Sequence, residues 1–127
     1  PYTVKIPDEV KDKWESVVII CKDKKSGTKT ELTIKLGHEV TVPDSNLKIF
    51  AGVFLPDFKL DEEQHVITSA SNKLLNPAVG VKIYEDGKQL FPSSDKEWGW
   101  LYAKFPTMHS FQHERFEFVL KNGIPKS

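Results

Sequence analysis

The sequence predicts an all-β fold, either a small antiparallel β-sandwich or a small β-barrel, with at most one or two short helical turns. In several segments apolar residues alternate with polar ones at a period of two, which is typical of strands with one buried face. Glycine, proline, aspartate and asparagine residues cluster between these segments and predict turns. No window sustains the 3.6-residue period of an amphipathic helix. The pattern gives about seven to nine short strands, a number that suits both architectures.

The length of the chain indicates a single domain. Its 127 residues can bury one core of ordinary size. We predict that the all-β domain spans residues 14–124. Residues 1–13 are rich in charge and are predicted to form a lead-in segment, in which only Val4 and Ile6 are suited to pack on the domain.

Four strands are predicted in the first half of the chain, with KSG and PDSN supplying turns. They are WESVVIICK at 14–22, TELTIKL at 30–36, EVTV at 39–42 and LKIFAGVFL at 47–55. In TELTIKL, the apolar Leu32, Ile34 and Leu36 alternate with polar residues, so this strand is expected to bury one face. A charged loop from Lys59 to His65 is predicted after the fourth strand.

The clearest hairpin lies in AVGVKIYEDGKQLF, residues 78–91. Val79, Val81 and Ile83 alternate with other residues up to Asp86-Gly87, a dipeptide that favours a two-residue turn with positive φ. The Asn76-Pro77 step directly before it disfavours helix and predicts a break.

Two strands rich in aromatic residues are predicted near the end. EWGWLYAKF carries Trp98, Trp100 and Tyr102 on one face and mostly apolar residues on the other, so we expect both faces to be covered. In ERFEFVL, Phe116 and Phe118 lie on the face that is predicted to be buried. PTMHSFQHE, between the two strands, is predicted to be a connection with room for one helical turn.

Composition excludes several classes of function. The 18 basic and 18 acidic residues balance, with a pI near 7.4, so no net field attracts nucleic acid or anionic lipid. The longest apolar run, Val17 to Cys21, is far shorter than the roughly 20 residues that span a bilayer. The sequence contains no GxSxG elbow, HExxH motif or glycine-rich phosphate loop, so neither an enzyme nor a cofactor is predicted. Cys21, the only cysteine, ends an apolar run and is predicted to be a buried, unreactive thiol.

His109 and His113 form the first candidate site. They are four residues apart, so on a helical turn their imidazoles would share one face and offer two nitrogens to zinc or copper. Further ligands would have to come from His38, His65 or the acidic run of residues 61–63. The alternative, which we favour, is that no metal binds and that His113 holds its loop by a hydrogen bond to the backbone of residues 106–112.

The second candidate site is an aromatic platform formed by Trp98, Trp100 and Tyr102. Aromatic rings provide a large rigid surface on which a flat ligand such as a sugar can stack. Packing in the core is the competing interpretation, and it is favoured for at least one of the two tryptophans because the opposite face of the strand is also apolar.

Four segments of the chain resemble a known protein family. They are WESVVIICKDKKSGTKTELTIKLG, LKIFAGVFLPDF, TSASNKLLNPAVGVKIYEDGKQLF and WGWLYAKFPTMHSFQHERFEFVL. The last is the most specific, because Trp100, Phe105, Pro106, His113 and Phe116 stand where the family has a tryptophan strand, a proline step, a histidine and a final aromatic strand. With these residues the chain resembles the DUF2155 family of uncharacterised bacterial envelope proteins. PDF at 56–58 and NPA at 76–78 resemble a delta-proteobacterial branch of that family.

The resemblance implies an exported protein made with a signal peptide or lipoprotein leader, in keeping with a sequence that begins at Pro1. It implies no reaction. Some relatives carry further cysteines, whereas this chain has only Cys21, so a disulfide does not transfer. LPDF and NPAV are also similar to soluble segments of ResB-type cytochrome c biogenesis proteins, a similarity that points toward haem-protein assembly.

The leading functional prediction is a non-enzymatic β-domain of the periplasm or cell envelope that binds or scaffolds another envelope protein. Its contact surface is predicted to comprise Trp98, Trp100, Tyr102, His109 and His113. No nucleic acid is expected as partner, and a membrane only through a removed leader or lipid anchor. The alternatives are a metal- or haem-handling accessory protein using the histidine pair and a carbohydrate-binding module using the two tryptophans.

Overall fold

The structure, a computed structural model, describes residues 1–93 and 95–127. These residues contain eleven strands and no helix, which confirms the all-β prediction. The strands are β1 (Thr3–Val4), β2 (Trp14–Asp23), β3 (Lys29–Lys35), β4 (His38–Thr41), β5 (Leu47–Leu55), β6 (Phe58–Asp61), β7 (Val66–Ser69), β8 (Ala78–Glu85), β9 (Lys88–Phe91), β10 (Gly99–Tyr102) and β11 (Phe116–Pro125).

Three open sheets make up the fold. The five-stranded sheet has the order β10-β8-β5-β4, with β9 also paired to β8, and all its pairs are antiparallel. A three-stranded sheet has the order β11-β2-β3, and a small sheet has the order β1-β7-β6, in which only β1 and β7 run parallel. Because none of these sheets closes on itself, the architecture is a small β-sandwich rather than a barrel.

The core lies between the five-stranded sheet and the β11-β2-β3 sheet. Alternate residues of each strand point inward, and full burial of each large apolar side chain contributes roughly 1.5 to 3 kcal/mol. The inner face of the three-stranded sheet supplies Val17, Ile19, Cys21, Leu32, Ile34, Phe116, Phe118 and Leu120. The inner face of the five-stranded sheet supplies Leu47, Ile49, Ala51, Phe54, Val79, Val81, Ile83 and Leu101.

The β8-β9 hairpin forms at the predicted turn. Asp86 and Gly87 have φ values of 52° and 80°, the left-handed conformations that a two-residue turn of this kind requires. Glu85 pairs with Lys88 across the turn, so the strands begin directly at the dipeptide. On its other edge β8 pairs with β5, which sets the outward-facing residues of these two strands side by side, and this neighbourhood contains the candidate site.

The predicted number of strands, about seven to nine, is too low, since the described residues form eleven, and the predictions for two segments also need correction. The segment from Lys59 to His65 is not all loop, because residues up to Asp61 belong to β6 and pair with β7. The turn begins only there, where the Asp61 carboxylate accepts a hydrogen bond from the backbone N–H of Gln64 at 3.0 Å. The alternation of Phe58 and Leu60 with charged residues indicated a strand, but the many charged residues around them suggested a loop instead.

The lead-in segment also packs differently from the prediction. Ile6 is exposed, whereas Val10 is buried, because a turn at Pro7 directs the chain back and brings Val10 against the domain. Val4 lies in β1, which pairs with β7. Residues 1–13 therefore contribute a strand and a buried side chain.

In the part of the chain that the structure describes, no helix has the length and the hydropathy needed to cross a membrane.

Candidate binding face

The outer face of the five-stranded sheet, which points away from the core, carries aromatic and charged side chains. Phe50 of β5 lies opposite Lys82 of β8, and Lys48 lies opposite Tyr84. Since side chains directly opposite each other in adjacent strands share a face, these four form one patch. Both rings are half-buried and thus retain contact with solvent.

Trp98 lies across this face and covers two glycines. A Cβ atom at Gly52 would lie 2.0 Å from Cη2 of the indole, and one at Gly80 would lie 3.1 Å from its Cγ. The two glycines leave the space that the indole fills between β5 and β8. The ring of Phe50 is nearly parallel to the indole, with an interplanar angle of 11° and a centroid distance of 6.1 Å. Phe50 and Trp98 together form one aromatic surface.

The charged neighbour of this surface is Lys82. Its Nζ atom lies 4.9 Å from the centroid of the Trp98 ring, within the range of a cation–π interaction. The side chain thereby keeps its ammonium group at the edge of the patch.

A groove of about 790 Å³ adjoins the aromatic surface, and we call it the outer groove. Phe50 and Tyr84 form its aromatic wall. Its polar lining includes Glu39, Thr41, Asn46, Lys48, Lys82 and Asp86. None of these six polar side chains makes a hydrogen bond or an ion pair with another described residue, so their donors and acceptors face solvent.

Trp100 and Tyr102 lie on the same outer face but further along β10, where the small sheet covers them. The ring of Phe58 packs edge-on against both, with centroid distances of 5.4 Å to Trp100 and 5.0 Å to Tyr102. Burial raises the pKa of the Tyr102 phenol. The predicted platform is therefore divided: Trp98 packs beside Phe50, which lines the outer groove, whereas Trp100 and Tyr102 pack against Phe58.

His113 is tied to the start of β11. The backbone N–H groups of Arg115 and Phe116 donate to its Nδ1 atom, at 3.1 and 3.3 Å. Because an accepting nitrogen bears no proton, the ring proton is on Nε2, which lies 3.5 Å from a carboxylate oxygen of Glu85. A hydrogen bond to the backbone was predicted, but the prediction that it holds residues 106–112 is wrong.

His109 does not share a helical face with His113. Its φ of 47° ends the turn formed by residues 106–109, and the chain then runs on without helix. His109 is exposed, whereas the His113 side chain is only 12% exposed. No group of three histidine, cysteine or acidic side chains able to hold a metal ion lies together within residues 1–93 and 95–127.

Replacement of His113 by alanine is expected to lower the free energy of unfolding by about 1 to 3 kcal/mol, because the two backbone N–H groups at the start of β11 lose their acceptor. Urea denaturation measures this loss. The matched control is His109→Ala, which should change stability by no more than about 0.5 kcal/mol because His109 is exposed. Equal losses in the two variants would contradict the assignment.

Cys21 is buried in the core, as predicted. Burial, together with the nearby Asp23 charge, raises the pKa of its thiol from 9.0 to about 11. The thiolate is the reactive form, so the thiol is expected to be unreactive in the folded protein at neutral pH.

We expect Cys21 to resist a thiol reagent such as Ellman's reagent at pH 8 in the folded protein and to react fully in urea. Between pH 9.0 and about 11 the unfolded thiol ionises while the folded one stays protonated, so this group should lower stability as the pH rises through that range. Cys21→Ala should remove the contribution. Rapid labelling of the folded protein would show that the thiol is exposed.

Sequence reasoning missed Phe50, Tyr84 and Lys82 as candidate site residues. A usable signal was present, because LKIFAGVFL and AVGVKIYE each alternate between small or aliphatic residues and larger aromatic or charged ones. An aromatic ring on the polar side of such a strand indicates a surface that binds a ligand or a partner. The glycines at 52 and 80 were a second signal, since glycine within a strand often marks the close approach of another group.

Comparison of the chain with protein-family models, with curated proteins and with solved structures finds no match. The resemblance to DUF2155 therefore stays a prediction from four segments of sequence.

Proposed function

We propose that this chain is a non-enzymatic binding module of the bacterial cell envelope whose outer groove holds an uncharged glycan. The observation that carries the proposal is the aromatic surface of Phe50 and Trp98, which adjoins a groove whose charged side chains have no hydrogen-bond or ion-pair partner among the described residues. A carbohydrate-binding module was one of the alternatives from the sequence. The geometry supports a role for Trp98 in binding a sugar. The other aromatic residues of the candidate site are Phe50 and Tyr84, in place of Trp100.

The aromatic surface suits the apolar C–H face of a pyranose ring. Phe50 and Trp98 lie in nearly parallel planes, so a ligand at this surface meets two adjacent aromatic rings of the same orientation. Aromatic rings lose little conformational entropy when they bind, since each side chain has only two torsions. Trp98 is further held by the backbone of β5 and β8 beneath it, so the surface is formed before a ligand arrives.

The polar lining favours an uncharged ligand. Lys48 and Lys82 are balanced by Glu39 and Asp86, so the groove has no excess of either charge. Sugar hydroxyls both donate and accept hydrogen bonds, and the groove offers ammonium donors beside carboxylate acceptors. The two carboxylates would repel an acidic polymer, and this repulsion would weaken its binding.

A partner protein, the leading prediction from the sequence, remains the second candidate. The same groove supports it, since aromatic residues with unpaired polar neighbours also serve protein interfaces. The metal-handling alternative lacks a group of three ligating side chains in the described part of the chain, and the haem-handling alternative loses its histidine pair because His109 and His113 do not share a face, so neither is carried into the proposal.

Titration of the ¹⁵N-labelled protein with cellohexaose, chitohexaose and maltohexaose tests the glycan. We expect at least one hexasaccharide to shift, in a saturable way, amide signals confined to β4, β5 and β8. Phe50→Ala and Tyr84→Ala should each weaken the affinity about tenfold, equivalent to about 1.4 kcal/mol of binding free energy. Hexagalacturonate, the charged comparison, should bind more weakly than the best uncharged probe.

The control is Phe105→Ala, which removes an exposed ring outside the outer groove and should leave binding unchanged. Absence of binding to all three uncharged hexasaccharides would reject the glycan. So would binding that persists in Phe50→Ala and Tyr84→Ala. Binding of an envelope protein that these two variants abolish, without any glycan binding, would assign the groove to the protein partner.

The envelope location in this proposal is supported by the resemblance of the four segments to exported proteins. Fractionation of cells that express the natural gene, with an antibody against this domain, checks it. We expect the signal in the periplasmic or membrane fraction. A cytoplasmic signal would reject the location without bearing on the groove.

A further inference from the structure

A second surface lies at the opposite end of the five-stranded sheet. It is formed by residues 70–77, which connect β7 to β8, and residues 103–109, which follow β10. The two segments are adjacent, because the backbone N–H of Ala103 donates to the carbonyl of Pro77 at 3.0 Å. We call this surface the loop end.

The loop end exposes an unusual amount of apolar surface. Nine large apolar side chains are exposed in the described residues, and four of them lie here. They are Leu74 (44% exposed), Leu75 (53%), Phe105 (51%) and Met108 (42%). Large apolar side chains gathered in one exposed region mark an interaction surface rather than the usual scatter over a protein.

The backbone beneath these side chains is held in place. Asn76 donates from its backbone to the carbonyl of Pro56 at 3.1 Å and from its side chain to the carbonyl of Phe58 at 3.0 Å. In the second segment, the backbone N–H of Met108 donates to the carbonyl of Phe105 at 3.0 Å. The apolar side chains are therefore presented by segments with defined turns.

The two segments of the loop end carry lysines and no acidic residue. Lys73 directly precedes the two leucines and Lys104 directly precedes Phe105. No aspartate or glutamate occurs at residues 66–84 or 98–113. The acid packed against the loop end is Asp57, whose carboxylate already accepts a hydrogen bond from Ser71 at 2.8 Å.

We propose that the loop end docks on the surface of an anionic lipid bilayer. The four apolar side chains enter the boundary between headgroups and acyl chains, while the ammonium groups of Lys73 and Lys104 stay among the lipid phosphates. A second copy of the chain fits this surface less well. A two-fold contact would bring the same patch of both copies together and so gather four lysines with only the two Asp57 carboxylates beside them.

This docking is independent of the outer groove. From Ala78 to Tyr84, β8 advances about 3.3 Å per residue, so the two surfaces are about 20 Å apart. A protein resting on lipid through the loop end keeps the groove open to a ligand, and failure of either proposal leaves the other intact.

Co-sedimentation with vesicles tests the docking. We expect the protein to bind vesicles of phosphatidylglycerol and phosphatidylethanolamine, to release them at high salt, and to bind pure phosphatidylcholine weakly. The double variant Leu75→Ser/Phe105→Ser should lower the partition coefficient about tenfold. Lys73→Gln/Lys104→Gln should lower it on anionic vesicles and remove the salt dependence.

The matched control is Leu60→Ser/Leu90→Ser, which removes two exposed leucines outside the loop end and should bind vesicles like the unchanged protein. Circular dichroism of every variant confirms that it is folded. No binding to anionic vesicles, or equal binding by the loop-end and control variants, would overturn the proposal. A concentration-dependent dimer in sedimentation velocity that Leu75→Ser/Phe105→Ser dissociates, without vesicle binding, would assign the surface to a second copy instead.

Discussion

Replacing Phe118 with alanine is expected to lower the free energy of unfolding by about 3 to 5 kcal/mol. Phe118 is only 4% exposed, and its ring packs against Phe111 and Phe116, with centroid distances of 5.7 and 6.4 Å. It lies on β11 opposite Cys21 of β2, where the three-stranded sheet meets the core. Removal of the ring leaves a cavity that the strands on both sides cannot close.

Urea denaturation, analysed for the midpoint and the slope, measures the loss at Phe118. Phe105→Ala is the matched control, since it removes the same ring from a position that is 51% exposed. Its effect should stay within about 0.5 kcal/mol. Similar losses in the two variants would mean that β11 does not pack as described.

The second large effect is expected at Gly52. Alanine there should cost about 3 kcal/mol, at the upper end for overpacking, because its Cβ would lie within 2.8 Å of three atoms of the Trp98 indole. The indole is held from below by two strands, so it has to leave its position. Gly52→Ala should therefore also weaken binding in the outer groove.

A double-mutant cycle with Trp98→Ala isolates this interaction. Without the indole, the space above Gly52 is open and Gly52→Ala should cost little, so the two changes should couple by about 2 to 3 kcal/mol. Both single variants and the double variant are compared by urea denaturation. Additive losses would show that Gly52 is needed for a reason other than room for Trp98.

Phe118 and Gly52 illustrate the different roles of the inner and outer faces of the sandwich. The inner faces are aliphatic and aromatic and provide stability, as Phe118 illustrates. The outer face of the five-stranded sheet places Phe50 and Trp98 next to charged side chains that make no hydrogen bond or ion pair with another described residue. Glycine is needed at 52 because the indole lies against the backbone there, so the site and the stability of the fold are coupled at Trp98.

How much of the candidate site the sequence reveals depends on the residue. Trp98 was predicted because an aromatic cluster is visible in the sequence, and the structure places it beside the groove. Phe50 and Tyr84 were not predicted, since each is the only aromatic residue on the outward side of its strand. The hydrogen-bond partner of His113 was not predicted either, because it depends on the backbone conformation directly before β11.

The sequence by itself determined the all-β class, the alternation of the core strands and the turn at Asp86-Gly87, because these depend on neighbours a few residues apart. It also showed that Trp98, Trp100 and Tyr102 alternate along one strand. Only the tertiary structure decided that Phe58 covers the last two while Trp98 borders a groove. The physical reason is that a period of two tells which residues share a face, whereas the cover over each part of that face comes from strands distant in sequence.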